Sequence, residues 1–296
     1  MRKRIIGIIV IGTSLLLAGC GSRGEVKRNA DGKKVLSGYI TLSGAFALYP
    51  LAIQWADEFH RLHPDVDIDI SAGGAGKGIT DVLADQVDIA MVSRELKPQE
   101  KEKGALAYAV AKDAVVATIN ANNLVYRELL KTGLSQKQAT AIWEGKTKLN
   151  VYTRSDACGA AETWAAFLGK KQEDLKGTGV FGDPGVAETL QKDVNGIGFN
   201  NIGYAYNDKT HKPTKGIAIV PIDVNGNGKL DAEEKFYDTL DELMDAIAKG
   251  KYPAPPARNL YLVTAGKPKN PVVVEFLKYV RTKGQRLNAP AGFVHI

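Results

Sequence analysis

Three segments of this chain share one arrangement, in which a strand pattern runs into a loop of small residues and then into a helix pattern. The loops cover residues 43–47, 73–78 and 155–160. The strand patterns are short alternating or apolar runs such as residues 66–70, whereas the helix patterns repeat apolar residues every three or four positions. Strands that alternate with helices in this way predict an α/β fold.

The small residues of these loops indicate a chemistry as well as a fold. The first N–H groups of a helix lack intrahelical partners and lie at the positive end of the helix dipole, so helix starts bind anions. Three helix starts at one point would surround an oxyanion with donors, although each loop alone is also compatible with an ordinary tight turn. Because Lys77 precedes Gly78 rather than Ser or Thr, the second loop is not a Walker A phosphate loop.

The beginning of the sequence has the composition of an export signal. Basic residues 2–4 precede the uncharged apolar segment 5–17, which is short for a membrane span, and small residues then precede Cys20 in a pattern that resembles the bacterial lipobox. We therefore predict a signal peptide over residues 1–19, diacylation of Cys20, and a lipidated flexible tether over residues 20–34. The alternative is an ordinary signal peptide followed by a chance cysteine.

The charge of the chain argues against a nucleic-acid partner. The net charge of +6 falls to +3 once the three basic residues of the signal are removed, and the remaining basic residues are not clustered. Cys158 is the one thiol besides Cys20, so no internal disulfide is expected after lipidation.

Several motifs, taken together, resemble the phosphate-binding proteins of ABC importers. In chain order they are Ser43-Gly44-(x)5-Pro50-Leu51-(x)3-Trp55-Ala56, the glycine-rich loop, Asp88-Ile89-Ala90, Ser93-Arg94-Glu95-Leu96 and Arg154-Ser155-Asp156-x-Cys158-Gly159. The order of the motifs is that of the family, and the resemblance covers nearly all of the chain after the signal.

This resemblance implies a two-lobe periplasmic-binding-protein fold of type II. Each lobe would hold a mixed β-sheet flanked by helices, with a hinge of two crossing segments. Lobe I would contain residues 35–112 plus 257–296, and lobe II residues 113–256. The protein would act as a lipid-anchored monomer in the periplasm or at the cell surface, and would bind phosphate between the lobes and pass it to an ABC permease.

The resemblance also implies which residues hold the anion. Arg154 would bind it directly, Asp156 would hold that arginine in place, and the small residues would donate main-chain N–H groups. The complete set is Phe46, Ala47, Ala75, Gly76, Ser93, Arg94, Arg154, Asp156, Cys158, Gly159 and Ala160.

Some of these positions depart from the usual family pattern. Cys158 and Ala160 stand where serine and threonine are usual, and Ala75 stands where a serine is frequent. Arg94 lies near the position at which some members have an aspartate that accepts the proton of hydrogen phosphate. Sulfate, molybdate, arsenate and organophosphates therefore stay open as ligands. A secreted phosphohydrolase and an adhesin or sensor stay open as functions, but no paired carboxylates lie near the anion loops and no enzyme is predicted.

A separate motif at residues 223–234 matches the calcium loop of EF-hand proteins. The residues at its ligand positions are Asp223, Asn225, Asn227, Lys229, Asp231 and Glu234. Lys229 would contribute only its carbonyl oxygen, and Glu234 could bind through both carboxylate oxygens. We therefore predict one structural calcium ion and no organic cofactor. The alternative is a solvated Asn-Gly turn that leads into an acidic helix cap.

Overall fold

The computed structural model describes residues 24–28, 32 and 34–296. The predicted signal peptide over residues 1–19 and the predicted lipid attachment at Cys20 lie outside the described residues. Strands and helices alternate along the chain, which confirms the α/β class. Among the described residues, no helix has the length and apolar character needed to cross a membrane.

The strands are Gly24–Arg28 (β1), Lys34–Gly44 (β2), Val66–Ala72 (β3), Ile89–Val92 (β4), Ala105–Asn120 (β5), Asn150–Arg154 (β6), Thr178–Val180 (β7), Gly196–Asn201 (β8), Ile217–Val220 (β9) and Ala257–Ala265 (β10). The α-helices are Tyr49–Leu62 (α1), Ala75–Leu83 (α2), Pro98–Glu102 (α3), Tyr126–Thr132 (α4), Gln136–Trp143 (α5), Gly159–Phe167 (α6), Gly182–Lys192 (α7), Ile202–Ala205 (α8), Leu240–Ala248 (α9) and Pro271–Val280 (α10). Short 3-10 turns lie at Phe46–Leu48, Gln172–Asp174, Ala232–Glu234 and Lys283–Leu287.

The first sheet is mixed, and β4 lies between β2 and β10. β2 pairs in parallel with β3 and β4, and β10 pairs antiparallel with both β4 and β5. The carboxyl ends of β2 and β3 therefore meet at one edge of the sheet. The loops at residues 43–47 and 73–78 leave the sheet at that edge, which is where ligands bind in open α/β sheets.

The second sheet is built on the far end of β5. That end pairs antiparallel with β8 on one side and β9 on the other, and β8 continues in parallel to β6 and then β7. The loop at residues 155–160 follows β6 and leads directly into α6. It therefore has the same strand-to-helix position in the second sheet that the other two loops have in the first.

Two hydrophobic cores divide the molecule into two lobes. The core of lobe I contains Trp55 and β5 as far as Ala111, while the core of lobe II contains β5 from Ala114 onwards together with Trp143 and Trp164. All three tryptophans are fully buried. Because each sheet is covered by helices and has its own core, the predicted two-lobe fold is confirmed.

Two chain segments cross between the lobes. One is β5, and the other precedes β10. At the crossing, the hydroxyl of Tyr252 donates to the carbonyl of Val115 at 2.6 Å, and the N–H of Val115 donates to the carbonyl of Pro256 at 3.1 Å. A buried ion pair of 2.8 Å between Arg258 and Asp113 joins the two segments.

The prediction of a flexible tether over residues 20–34 is wrong for part of its length. Residues 24–28 form β1, which pairs antiparallel with residues 34–38 of β2. The sequence of β1 is polar and its side chains are mostly exposed, so no apolar alternation marks it as a strand. Its pairing depends on the edge that β2 offers, which only the folded sheet provides.

Candidate functional site

The small-residue loops meet where the two lobes touch. Gly76, at the start of α2 in lobe I, donates its N–H to the carbonyl of Ala157 in lobe II at 3.1 Å. The start of α6 lies equally close to the end of β4, since a Cβ atom on Gly159 would lie 2.3 Å from the carbonyl and hydroxyl oxygens of Ser93. The helix starts of α2 and α6 are therefore brought together, as the sequence pattern required for an anion site.

Arg154, the last residue of β6, is the buried cation of this interface, with 1% of its side chain exposed. Its Nε and Nη2 donate to the two carboxylate oxygens of Asp156 at 2.8 and 2.7 Å, so the pairing of these two residues is present. Its Nη1 donates to Oδ2 of Asp183 at 2.6 Å. A guanidinium has five N–H donors, so these bonds leave donors available to a ligand.

Asp183 is the residue at this site that sequence reasoning missed. It lies in the first turn of α7, is fully buried, and accepts the main-chain N–H and the amide Nδ2 of Asn201 at 2.8 and 2.7 Å. The neighbouring Gly182 donates its N–H to Asp156 at 3.2 Å. One signal could have located it: a buried arginine needs more acceptors than the single carboxylate of its own loop, and Asp183 stands at a helix start.

The charges of this cluster do not balance, because two carboxylates face one guanidinium. Burial by itself would lower the pKa of Arg154, but its interactions with Asp183, Cys158 and Asp156 outweigh burial and raise the pKa above its usual value. Arg154 therefore stays charged throughout the physiological range. The ring of Phe46 from lobe I lies over this charge, with 5.5 Å between Cζ of Arg154 and the ring centroid.

Apart from the N–H of Gly76, which is donated to Ala157, the loops offer a ligand mainly main-chain N–H groups. Phe46 and Ala47 lie in the 3-10 turn after β2, Ala75 and Gly76 in the first turn of α2, and Gly159 and Ala160 in the first turn of α6 after the N-cap Cys158. None of these side chains carries a hydroxyl. The arrangement can therefore bind an anion through helix starts and Arg154, without side-chain hydroxyls from these loops.

Glycine is needed where lobe I approaches lobe II. Gly74 has a φ of 92°, and a Cβ atom at that position would lie 2.9 Å from the carbonyl oxygen of Ala157. A Cβ atom on Gly76 would lie 2.9 Å from Cβ of Ala157. Side chains at these positions would push the lobes apart, so the glycines permit the close approach.

The family profile described as "PBP superfamily domain" matches residues 29–283 of this chain. The chain belongs to the PBP superfamily. Phosphate-binding protein PstS of Staphylococcus epidermidis is 25% identical to it over 310 residues, which cover 99% of this chain and 89% of that protein.

Solved structures of similar fold agree with this membership. A substrate-binding protein from Clostridium perfringens with bound phosphate superposes with a TM-score of 0.71 at 21% identity, covering 88% of this chain and 100% of that one. An ABC-type phosphate transport receptor from Vibrio cholerae superposes with a TM-score of 0.63 at 20% identity, covering 87% and 100%. These likenesses support the two-lobe fold of the PBP superfamily.

In this PBP-superfamily chain, Cys158 is a buried helix cap rather than a nucleophile. Its Sγ accepts the N–H of Ala161 at 3.4 Å. Burial raises the pKa of the Cys158 thiol to about 12, although the nearby charge of Arg154 opposes that rise. The thiol is therefore protonated at neutral pH, and the site offers no thiolate for covalent catalysis.

Ser93 and Arg94 lie side by side but face different partners. Ser93 is buried against the start of α6, whereas the guanidinium of Arg94 is held by Glu100 at 2.8 and 2.7 Å. Arg94 also forms an ion pair of 2.8 Å with Glu162 of lobe II, and Lys97 pairs with the same carboxylate at 3.0 Å. These contacts bridge the lobes, and direct contact between Arg94 and an anion stays a prediction.

Within residues 24–28, 32 and 34–296, no three His, Cys, Asp or Glu side chains gather into an arrangement that could hold a metal ion. The predicted calcium loop contains three such side chains, those of Asp223, Asp231 and Glu234, while its other predicted ligands are amide and carbonyl oxygens. It forms a turn between β9 and α9, in which Asp223 and Glu234 are the buried members.

Proposed function

We propose that this chain is an extracytoplasmic solute-binding protein that captures phosphate between its lobes and delivers it to an ABC importer. The observation that carries the proposal is the buried guanidinium of Arg154, at the point where helix starts from both lobes meet. A fixed cation with spare N–H donors, next to main-chain N–H groups, suits a small anion with several oxygens.

The relatives support phosphate as the ligand. The Staphylococcus epidermidis protein is named as phosphate-binding and aligns with 99% of this chain. The Clostridium perfringens structure contains bound phosphate and shares the fold. Both are named as binding proteins, which favours capture of the anion over a reaction upon it.

Capture would proceed by closure of the two lobes around the anion. Lobe II contributes Arg154, and lobe I contributes the ring of Phe46 and the N–H of Ala75 at the start of α2. Two crossing segments form the hinge, and the ion pairs from Arg94 and Lys97 to Glu162 hold the lobes together once they meet. Anion binding is thereby coupled to a closed shape that a permease can distinguish from the open one.

The geometry selects for a tetrahedral oxyanion more firmly than for phosphate itself. The carboxylates of Asp156 and Asp183 are already engaged by arginine and by N–H donors, which limits their use as acceptors for the proton of hydrogen phosphate. Ser93 brings a buried hydroxyl, which can either accept or donate. Arsenate, sulfate, molybdate and organophosphates are therefore the alternative ligands of the same site.

We propose further that residues 1–19 direct export and that Cys20 carries the lipid that anchors a monomeric protein outside the cytoplasm. The support is the basic start, the short apolar segment and the small residues before Cys20. Mass spectrometry of the protein purified from membranes, with and without Cys20→Ala, tests this. A diacylated N-terminal peptide that is lost in the variant is expected.

Isothermal titration of the ligand-stripped chain without residues 1–19 tests the function. We expect tight binding of phosphate and arsenate at neutral pH. In Arg154→Ala the affinity should fall by roughly 3–5 kcal/mol, because a buried anion loses its counter-charge. The exposed Arg127→Ala is the matched control and should bind like the parent protein.

Each other outcome has a clear meaning. Binding of sulfate or molybdate in place of phosphate would reassign the ligand and retain the site. If none of the anions binds in the titration, anion capture at this site is refuted and an adhesin or sensor is favoured. Steady hydrolysis of a chromogenic phosphate ester that depends on Arg154 would favour an enzyme. All titrations must be made well below the melting temperature of each variant, since Arg154 is also part of the fold of lobe II.

A further inference from the structure

We propose that residues 223–234 form a structural calcium site in lobe II, separate from the oxyanion site. Its ligands are the side-chain oxygens of Asp223, Asn225, Asn227, Asp231 and Glu234, and the main-chain carbonyl of Lys229. The loop lies between β9 and α9, outside the segments that form the oxyanion loops. Calcium binding here therefore does not depend on whether the proposed oxyanion site binds phosphate.

The backbone of the loop has the turn that calcium binding needs. Gly226 and Gly228, at loop positions 4 and 6, have φ values of 73° and 77°, which are favourable for glycine. An EF-hand loop requires glycine at position 6 for its sharp turn. Gly226 and Gly228 donate their N–H groups to the carboxylate of Asp223 at 2.8 and 2.9 Å, so the chain already wraps around the residue at position 1.

A second observation, independent of the motif, indicates a cation. Asp223 and Glu234 are only 3% and 6% exposed, yet in the described part of the chain they accept main-chain N–H groups and form no ion pair with Lys, Arg or His. Buried carboxylates are otherwise paired with a base or bound to a metal. Two of them at the ends of one loop therefore leave a charge that a divalent cation would balance.

Both buried carboxylates keep room for a metal. A carboxylate has about four acceptor positions. Glu234 uses Oε1 for the N–H groups of Val224 and Asn225 and Oε2 for that of Asp231 only. Asp223 likewise has one oxygen that accepts a single N–H, from Gly228. One oxygen of each carboxylate is therefore still able to bind a cation.

The side chains of Asn225, Asn227 and Asp231 meet at one carboxylate oxygen. Oδ2 of Asp231 accepts the side-chain amides of Asn225 and Asn227 at 2.9 and 2.8 Å. The two amide oxygens accept the N–H groups of Asn227 and Lys229 at 3.0 and 2.8 Å, and a half-turn of each amide on metal binding would exchange these bonds for a position beside that carboxylate. A cavity of about 480 Å³ opens there, lined by Asn225, Asp231, Glu233 and Glu234 together with Val224 and Lys251.

The ligand chemistry favours calcium over other metals. Every ligand is an oxygen, which excludes the sulfur- and nitrogen-rich sites of zinc and copper. Six oxygen ligands from the protein suit calcium, whereas magnesium prefers strict octahedral geometry and keeps several waters. The N–H of Leu230 donates to the carbonyl of Lys131 at 2.8 Å, so a bound ion would also fasten the loop to the end of α4.

The site is tested by titrating calcium chloride alone into the metal-stripped protein of residues 20–296. This protein contains every described residue. We expect one calcium ion per chain, with a Kd of roughly 10⁻⁴ to 10⁻³ M or tighter, as for extracellular calcium modules. Calcium should raise the melting temperature and a chelator should reverse the rise. Magnesium at the same concentration should have a much smaller effect.

A pair of neighbouring variants separates metal binding from a merely structural role. Glu234→Gln should lose calcium affinity by about tenfold or more, whereas Glu233→Gln removes the same charge from a non-ligand position and should stay within about threefold. If Glu234→Gln fails to fold, Asp231→Asn, at a less buried position, should show the same selective loss. Absence of calcium binding in the parent chain, equal affinity in Glu234→Gln and Glu233→Gln, or equal binding of magnesium would each overturn the assignment.

Discussion

The two walls of the interlobe cleft differ in the charge of the residues that line them. The lobe I wall places the ring of Phe46 over Arg154 and the start of α2 against Ala157. The lobe II wall carries the ions, since Arg154, Asp156 and Asp183 are all buried there and bonded to one another. Next to Arg154 the lobe I wall is thus neutral, and its charged residues Arg94 and Lys97 pair with Glu162 instead.

We expect the charged lobe II wall to determine the stability of lobe II and the lobe I wall to determine ligand recognition. The charged cluster is held within lobe II by its own hydrogen bonds, so it is already formed before the lobes close and holds Arg154 in position. The contacts of the lobe I wall are made only across the interface, as the bond from Gly76 to Ala157 illustrates. Changes in the cluster should therefore affect folding, and changes at the contact should affect ligand capture.

The largest effect is expected when the charged wall loses a carboxylate. Asp183→Ala removes a fully buried partner of Arg154 and leaves the amide of Asn201 without its acceptor. Loss of one partner of a buried ion pair typically costs about 3–5 kcal/mol, so the free energy of unfolding should fall by that amount in urea denaturation.

Asp241→Ala is the control for that measurement, because Asp241 is exposed and pairs with His211 at the surface. It should cost no more than about 1 kcal/mol. A similar small loss in Asp183→Ala would mean that Asp156 alone sustains the cluster, and the proposed division between the walls would then fail.

The second effect concerns the contact between the walls. Gly159→Ala places a methyl group 2.3 Å from Ser93 oxygens, which belong to the other lobe. Overpacking of this kind costs about 1–3 kcal/mol, so oxyanion affinity should fall roughly 5- to 150-fold while stability towards urea is unchanged. Titration and denaturation of the same sample measure both.

Gly203→Ala is the matched control, because a Cβ atom there meets nothing within 4 Å. It should leave affinity unchanged. If Gly159→Ala binds the anion as tightly as the control, the lobes do not need this contact to capture ligand.

The smallest expected effect is an increase in phosphate affinity. Cys158→Ser replaces the thiol cap of α6 by a hydroxyl, which is a better helix cap and a better donor to an anion. One added hydrogen bond is worth about 0.5–1.5 kcal/mol, so phosphate affinity should rise roughly 2- to 12-fold in titration. Unchanged affinity would place the anion away from the start of α6 and shift recognition towards the lobe I wall.

Features of this protein that depend on a few neighbouring residues could be predicted from the sequence. The loops at residues 43–47, 73–78 and 155–160, the helix α10 and the short-range partnership of Arg154 with Asp156 all follow from patterns within a few residues. The apolar run of residues 113–119 marks the second half of strand β5, whereas residues 105–112 have an irregular burial pattern. Apolar periodicity marks only the parts of a strand that share one environment.

The sequence by itself therefore determined the α/β order of strands and helices and the loops at the helix starts. It also determined the position of Arg154 at one of these loops and the spacing of the oxygen ligands in residues 223–234. Only the tertiary structure decided that Asp183 completes the Arg154 cluster, that Phe46 covers it and that Glu162 joins the lobes. The physical reason is that periodicity and capping act over one turn or strand. By contrast, a buried charge finds its partners wherever folding brings them, at any separation along the chain.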